Sequence, residues 1–351
     1  MTIENFAKEL VKSAKALQSS DIHILPLATA YGVYFRLSGQ LVKKYQLSPE
    51  IGVRVITHFK FLANMDVGEK RKPQSGALLF DSGETPIDLR LSTIANYLGQ
   101  ESLVIRLLAE DYMKKSQVQV FFDYEWQQIK RLMQYRSGLI LFSGPVDSGK
   151  TTAMYHLVKE QLLNKKQQVI AIEDPVEIKE KSFLQVQVNE KSGVTYESLL
   201  KAALRHHPDI LLIGEIRDEE TAQMVIRGAL TGHLILATVH AKDAPGVLTR
   251  LEELGLSSEL LQQTILGIIF QKLLPLYCPL CETSCHPFCQ HHPAQAKRAA
   301  LCEVWKSQEV RAFYKKSSEK GFSMRSFNQL LKKVYSYGFI NQEVYEQYYI
   351  P

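Results

Sequence analysis

The chain has 351 residues, of which 45% are hydrophobic and 23% charged, and its formal net charge is +5. This composition is typical of a globular protein of two or three domains and excludes a disordered chain. The charge is too small for this length to indicate nucleic-acid binding, and no run approaches the ~20 apolar residues that cross a bilayer, so we expect a cytoplasmic protein.

The N-terminal part, residues 1–110, alternates short β-type runs with one amphipathic helix near residues 49–64. The runs lie at residues 22–25, 31–37, 78–80, 87–91 and 103–107. This pattern predicts a small α+β domain. Residues 111–125 are predicted to be a linker, and we expect the hinge at its polar part, residues 111–119.

From residue 126 the pattern becomes that of an α/β sheet of buried parallel strands. Four short apolar runs are each followed by small or charged residues, and they lie at 139–142, 168–172, 210–213 and 234–239. Ligands bind outside the carboxyl ends of such strands. We therefore predict a ligand-binding domain at residues 126–270, followed by a cysteine-containing, mostly helical region at residues 271–351.

A phosphate-binding loop follows the first of these runs. Residues 144–151 match G-x-x-x-x-G-K-[ST], with a predicted strand before the loop and a helix after it. Backbone N–H groups would surround the phosphates, Lys150 would reach the β- and γ-phosphates, and the Thr151 hydroxyl would bind Mg²⁺. The predicted nucleotide-binding residues of this segment are Gly144, Pro145, Val146, Asp147, Ser148, Gly149, Lys150, Thr151 and Thr152.

Acidic residues end two of the other runs. Glu215 follows the run 210–213, and we predict that it orients or deprotonates the attacking water and joins Thr151 at the metal. The acidic run 173–177 begins with Glu173, a second catalytic candidate, and could hold Mg²⁺ through water. For a single acid after a strand, helix capping or a surface role is the alternative.

Two histidines flank the run 234–239. His240 is a candidate sensor of the γ-phosphate, and His233 a weaker candidate for the nucleotide site. A lone histidine is more often structural, so both alternatives stay open.

All five cysteines lie in one short stretch. Cys278, Cys281, Cys285 and Cys289 supply four thiols, with His286, His291 and His292 as alternates. Such a cluster is typical of a structural zinc site, although a degenerate site without metal is the competing interpretation.

Taken in order, these motifs resemble the type II secretion and type IV pilus ATPase family. Segments 20–23, 65–76, 88–93 and 104–107 resemble its N-terminal motifs, and segments 171–177, 211–218 and 230–240 resemble its Asp box, Walker B and His box. The resemblance implies a PAS-like α+β domain joined to a RecA-like ATPase that assembles as a hexamer. It also implies that Arg90 and Arg106 approach the γ-phosphate, with Arg217 and Arg227 as weaker candidates. Without the family, Arg90 and Arg106 would be interpreted as salt-bridge partners at strand edges.

Within the family, the sequence is most similar to competence pilus ATPases of Gram-positive bacteria. This resemblance implies an ATP- and Mg²⁺-dependent motor for pilus assembly and DNA uptake, docked on a platform protein at the inner face of the cell membrane. Residues 318–351 show no counterpart of the segment A-I-R-N-L-I-R typical of retraction motors, which favours assembly. The alternatives are a retraction or type II secretion ATPase, a RecA-like nucleic-acid translocase, or a non-catalytic scaffold.

Two departures from the family pattern stand out. Val146 and Asp147 replace the usual Thr-Gly of the loop, and Lys272 replaces an arginine in Q-R-L. An acid beside bound phosphates is unfavourable unless its side chain turns outward or pairs with a cation. A lysine cannot reproduce the bidentate contacts of an arginine.

Overall fold

The computed structural model describes residues 2–37, 39–81, 86–108, 118–286, 288–293, 296–315 and 325–351. The chain divides into two compact units, the first formed by Met1–Lys114 with His286–Lys297 and the second by Lys115–Cys285 with Arg298–Pro351. Most of the predicted hinge falls in residues 109–117, outside the described residues. None of the helices in the described ranges has the length and apolar character of a membrane-spanning segment.

The first unit is an α+β fold around one antiparallel sheet. Its strands are β1 (Asp21–Pro26), β2 (Tyr31–Leu37), β3 (Gln40–Leu47), β4 (Gln74–Phe80), β5 (Ile87–Ala95) and β6 (Glu101–Leu108), and its helices are Ile3–Ala16 and Pro49–Leu62. The sheet order is β3-β2-β1-β6-β5-β4. Alternate residues of the central strands, including Val33, Phe35 and Ile105, are fully buried in its core. Strand β3 was not predicted, because its polar sequence leaves it largely exposed at the sheet edge.

The second unit is an α/β fold built on a seven-stranded sheet. The strands of this sheet are β7 (Gly138–Ser143), β8 (Val169–Glu173), β9 (Leu184–Gln187), β10 (Ile210–Ile213), β11 (Leu234–Val239), β12 (Ile265–Pro275) and β15 (Arg298–Lys306). Strands β13 (Tyr277–Cys278) and β14 (Thr283–Ser284) form a separate small hairpin. Its helices are Asp123–Leu132, Lys150–Asn164, Tyr196–Arg205, Glu219–Leu230, Ala244–Glu253, Ser258–Thr264, Ser307–Lys315, Phe327–Ser336 and Gln342–Tyr348, with a 3₁₀ turn at Glu190–Ser192. The sheet order is β15-β12-β7-β11-β10-β8-β9.

The α/β class predicted from the sequence is confirmed, with strands β7, β8, β10 and β11 buried along their whole length. These four strands are parallel. Apolar runs without alternation are typical of such strands, because helices cover both faces of the sheet.

The same sheet continues into the region for which the sequence predicted mostly helix. The predicted boundary between residues 270 and 271 falls inside β12, and β15 pairs antiparallel with β12 from Gly267 opposite Lys306 to Pro275 opposite Arg298. Helices follow β15 in the described residues, as predicted, but the sequence prediction missed the two strands that precede them. The apolar run 265–270 is short, and periodicity alone does not separate a buried strand from a buried helix.

The parallel register aligns the strand ends that carry polar residues. Ser143 of β7 lies opposite Val239 of β11, and Ile213 of β10 lies opposite Ala237 of β11 and Ile172 of β8. The segments that follow these strands therefore leave the sheet at one edge, where ligands bind in open α/β sheets.

Candidate nucleotide-binding and catalytic site

The phosphate-binding loop connects β7 to the helix Lys150–Asn164 and packs against β12. Gly144 has φ +137°, and a Cβ there would lie 2.1 Å from the Gln271 carbonyl oxygen. Only glycine fits at this position, because both the backbone conformation and the close approach exclude a side chain. Gln271 also donates a 2.6 Å hydrogen bond to the Ser148 carbonyl, so β12 supports both ends of the loop.

Lys150 is buried at the first position of the helix and folds back over the loop. Its ammonium donates to the carbonyl oxygens of Gly144 (2.9 Å) and Pro145 (2.8 Å). Burial lowers the pKa of Lys150, while nearby carboxylates, that of Glu215 foremost, oppose this shift. The ammonium therefore lies within the electrostatic reach of Glu215.

The loop also contains a buried donor that the described residues leave unsatisfied. The Ser148 hydroxyl is buried and has no hydrogen-bond partner in the described part of the chain. A buried hydroxyl without a partner is uncommon, and a phosphate oxygen would satisfy it. With the Lys150 ammonium and the N–H groups of the helix N-terminus, this donor set fits phosphate groups, and the half-buried Thr151 and Thr152 follow in the first helical turn.

Glu215 lies just after β10 in a cluster of charged side chains. Its Oε2 accepts a 2.6 Å hydrogen bond from Arg217 Nε, and its Oε1 lies 3.2 Å from His240 Nε2. Arg217 also donates a 3.2 Å bond to Asp174, and its bond to Glu215 raises the pKa of Arg217. The ends of β8, β10 and β11 thus bring together four residues that the sequence analysis singled out.

Glu173, the other catalytic candidate, has a different environment. It is 5% exposed at the end of β8, and it accepts hydrogen bonds from the Tyr155 hydroxyl and from Gln185 Nε2 (3.3 Å). Gln185 also donates to Tyr155 (2.8 Å). Burial raises the pKa of Glu173 despite these hydrogen bonds. Glu173 is therefore part of a buried network beneath the site.

The acid that departs from the family pattern has a cationic partner. Asp147 adopts φ +61° in the loop, and its Oδ2 lies 3.0 Å from Nη1 of Arg298 at the start of β15. The structure therefore realises one of the two arrangements that the sequence analysis required of an acid at this position.

Lys272 is held by packing. Its ammonium donates a 3.2 Å hydrogen bond to the Tyr348 carbonyl and lies 4.9 Å from the ring centre of Phe327. Burial lowers the pKa of Lys272.

His233 lies at the opposite edge of the sheet from the loop. It precedes β11, its carbonyl accepts a hydrogen bond from the Gly138 N–H at the start of β7, and its Nδ1 lies 3.2 Å from the Gly228 carbonyl. Arg227 is exposed in the last turn of the preceding helix. The second unit therefore does not bring His233 together with the loop, unlike His240 at the other end of the same strand.

Comparison with known proteins identifies the family. Residues 1–338 match the family model described as type II/IV secretion system protein. The chain is 36% identical over 349 residues to competence protein ComGA of Bacillus subtilis (strain 168), covering 99% of this chain and 98% of that protein. It is 46% identical over 274 residues to competence protein ComGA of Streptococcus pneumoniae (strain ATCC BAA-255 / R6), covering 78% of this chain and 85% of that protein.

The chain belongs to the type II/IV secretion system protein family. Its fold is that of the pilus retraction motor PilT, solved with bound ADP, at a TM-score of 0.71 and 24% identity over 98% of this chain and 97% of that chain. The family resemblance and the α/β fold class predicted from the sequence are therefore confirmed. Membership of this family of ATPases makes the chain an ATPase, as the phosphate-binding loop indicates.

The two arginines that the family resemblance singles out lie side by side in the first unit. Arg90 of β5 is directly opposite Arg106 of β6. Arg106 Nε donates a 3.0 Å hydrogen bond to Asp21, and Arg106 is 52% exposed. Their role at the γ-phosphate stays a prediction.

The cysteine segment is divided between the two units, with Cys278, Cys281 and Cys285 in the second unit and Cys289 and His291 in the first. Cys278, Cys285 and Cys289 are buried, and Cys281 is partly exposed. The zinc site in this segment stays a prediction.

Four residues around the site were not found by sequence reasoning: Tyr155, Gln185, Gln271 and Arg298. Each contacts a site residue that is distant in sequence, up to 151 positions for Arg298 and Asp147. A signal existed only for Arg298, because an acid in the loop called for a cation without specifying which one.

Proposed function

We propose that this ATPase is the motor that powers assembly of a competence pilus for DNA uptake. Two relatives that align with most of the chain are named competence proteins. The observation that supports the proposal is that Glu215 follows β10 at the edge of the sheet where the phosphate-binding loop follows β7, with its carboxylate oriented by Arg217 (2.6 Å) and His240 (3.2 Å).

ATP binding would use the loop as a set of donors. The Lys150 ammonium would exchange the Gly144 and Pro145 carbonyls for phosphate oxygens, and the Ser148 hydroxyl would gain an acceptor. Mg²⁺, when bound, neutralises charge on the phosphate oxygens, and the Thr151 hydroxyl and Glu215 would hold it.

Hydrolysis would depend on Glu215. Among the residues that the structure describes, one carboxylate oxygen contacts Arg217 and the other His240, and each retains lone-pair capacity to accept a hydrogen bond from water. The water oxygen bonds to the γ-phosphorus and gives a proton to the Glu215 carboxylate, while the bond between that phosphorus and the β–γ bridging oxygen breaks with its electron pair left on ADP, yielding ADP and phosphate. Arg217 and His240 fix the orientation of the carboxylate during this step.

The motor would act as a homo-hexamer on an inner-membrane platform protein, at the cytoplasmic face of the membrane. Family resemblance supports this arrangement, with Arg90 and Arg106 completing the catalytic site. The cysteine segment would hold a structural zinc ion through the predicted thiols of Cys278, Cys281, Cys285 and Cys289, with the nearby histidines as alternates, which metal analysis of the purified chain tests.

The test of function is Glu215→Gln, with Glu220→Gln as the matched control. Glu220 is an exposed acid of the next helix, so its substitution makes the same chemical change outside the site. We expect E215Q to bind Mg·ATP like the wild type and to lose about 10²–10⁴-fold in turnover. Competent cells whose only copy carries E215Q should lose surface pili and DNA uptake, whereas E220Q should retain both.

Two outcomes contradict the proposal. Full turnover by E215Q would remove Glu215 from catalysis. Pili and uptake in cells carrying a turnover-deficient E215Q would exclude the assembly role and favour a retraction, secretion or scaffold function.

A further inference from the structure

The loop carries an acid in a backbone conformation that L-residues rarely adopt. Asp147 has φ +61°, and aspartate is among the few non-glycine residues that tolerate this region. Its side chain is 54% exposed and points to Arg298, whose Nη1 lies 3.0 Å from the carboxylate. Loop conformation and ion pair are therefore coupled at one residue.

Arg298 is carried by a well-supported element. It begins β15 and pairs with Pro275 of β12, the strand whose Gln271 holds the Ser148 carbonyl. The ion pair therefore connects Asp147 of the loop to β15, and β15 is paired with β12, the strand that contacts Gly144 and Ser148 of the same loop.

The charge of Asp147 acts on Lys150 in the phosphate-binding loop. Its carboxylate is among the groups that raise the pKa of Lys150 against the effect of burial. The pair also lies within electrostatic reach of the half-buried Tyr348. Burial raises the pKa of Tyr348, and the charges of Arg298 and Asp147 act on it in opposite directions. Without a cationic partner, Asp147 would repel bound phosphates by the same electrostatic interaction.

We propose that Arg298 is a positioning residue for nucleotide binding that acts through Asp147. It neutralises the acid and holds the loop in its phosphate-binding conformation. This inference rests on the proposed function, since it requires nucleotide at the loop.

Four variants test this role: Arg298→Gln, Arg298→Lys, Asp147→Gly and the double variant D147G/R298Q. The measurement is the dissociation constant for Mg·ADP by calorimetry, which involves no turnover. We expect R298Q to weaken binding about tenfold, on the Coulomb scale of one charge near a phosphate. R298K should stay close to wild type, because it keeps the charge. D147G/R298Q should recover wild-type affinity, because the acid that needed neutralising is gone.

The expected loss in R298Q should shrink at high salt, which screens a partly exposed charge. Arg205→Gln is the matched control, because it makes the same change at an exposed arginine at the end of the helix that precedes β10. Thermal unfolding of each variant establishes that the second unit is folded.

Wild-type affinity in R298Q would overturn the inference. An affinity as weak in D147G/R298Q as in R298Q would also overturn it, because Arg298 would then contact nucleotide directly or act only on folding. Failure of the proposed function has a different signature: E215Q would keep full turnover, or cells that carry it would keep pili and DNA uptake, and neither result would change the Mg·ADP dissociation constants of the Arg298 variants.

Discussion

At the scale of single residues, Glu173 and Glu215 differ in exposure although both follow strands of the same sheet. Glu173 is 5% exposed and hydrogen-bonded to Tyr155 and Gln185, whereas the Glu215 side chain is 19% exposed and contacts two cationic or titratable groups. A group that orients water must reach the reacting phosphate, and Glu215 is the more accessible of the two. We therefore propose that Glu173 supports the site and that Glu215 orients the water.

Glu173→Gln should separate these roles. Burial raises the pKa of Glu173 in the folded chain above the unfolded value of 4.5, so the folded chain favours the protonated carboxyl. The shift therefore stabilises the folded chain below pH 4.5, and this stabilisation is lost as the pH rises through the folded-state pKa. The variant lacks this titration, so the melting temperature of E173Q relative to wild type should increase between pH 5 and pH 8. Turnover should fall by less than about tenfold, far less than in E215Q. A loss as large as that of E215Q would place Glu173 in the chemical step.

Sequence reasoning found the side chains that follow a strand or a recognised motif, such as Lys150, Thr151 and Glu215. It did not find Tyr155 or Gln185, because their roles arise from packing between a helix and an edge strand. It ranked His240 above His233, because His240 follows the carboxyl end of its strand, where ligands bind in such sheets.

At the scale of elements, the phosphate-binding loop packs against strand β12. The loop backbone at Gly144 lies so close to the Gln271 carbonyl that a methyl group cannot be inserted without moving one of them. The conformation of the loop therefore depends on β12 remaining in register between β7 and β15.

Gly144→Ala should destabilise the second unit more than Gly232→Ala. Gly232 also has a positive φ, +101°, but a Cβ there would meet nothing within 4 Å. Strain alone should lower the free energy of unfolding of G232A by about 1 kcal/mol. The overlap in G144A should add about 1–3 kcal/mol. Thermal and denaturant unfolding measure both, and equal losses would show that β12 moves aside freely.

Elements with a strong pattern were predictable, and those without one were not. Buried runs such as β7 and β11 were found from their apolar residues. Strand β3 was missed because its residues are polar, and β15 was missed because its partner β12 is distant in sequence.

At the scale of the whole molecule, two compact units carry different parts of the predicted catalytic set. The loop and Glu215 belong to the second unit, and Arg90 and Arg106 belong to the first. The change in hydrophobic pattern after residue 125 predicted a second, α/β part of the chain, but it gave no sign that the sheet continues beyond residue 270 into β12 and β15.

Arg106→Ala tests whether the first unit takes part in hydrolysis. Removal of an arginine that stabilises the transition state should lower turnover by about 10³-fold or more and leave Mg·ADP affinity unchanged. Asp21→Asn removes the ion-pair partner of Arg106 and should leave turnover largely intact. Arg54→Ala, an exposed arginine of the first unit, serves as the matched control. Equal effects of D21N and R106A on both melting temperature and turnover would reduce Arg106 to a salt-bridge role.

The ion pair between Asp147 and Arg298 also has an evolutionary consequence. A loop with glycine at position 147 has no acid to neutralise, so the first residue of β15 is released from this constraint. Relatives that acquired the acid should have acquired the arginine with it, and those that kept glycine should vary freely at position 298. Positions 147 and 298, although far apart in the sequence, would then co-vary among the relatives.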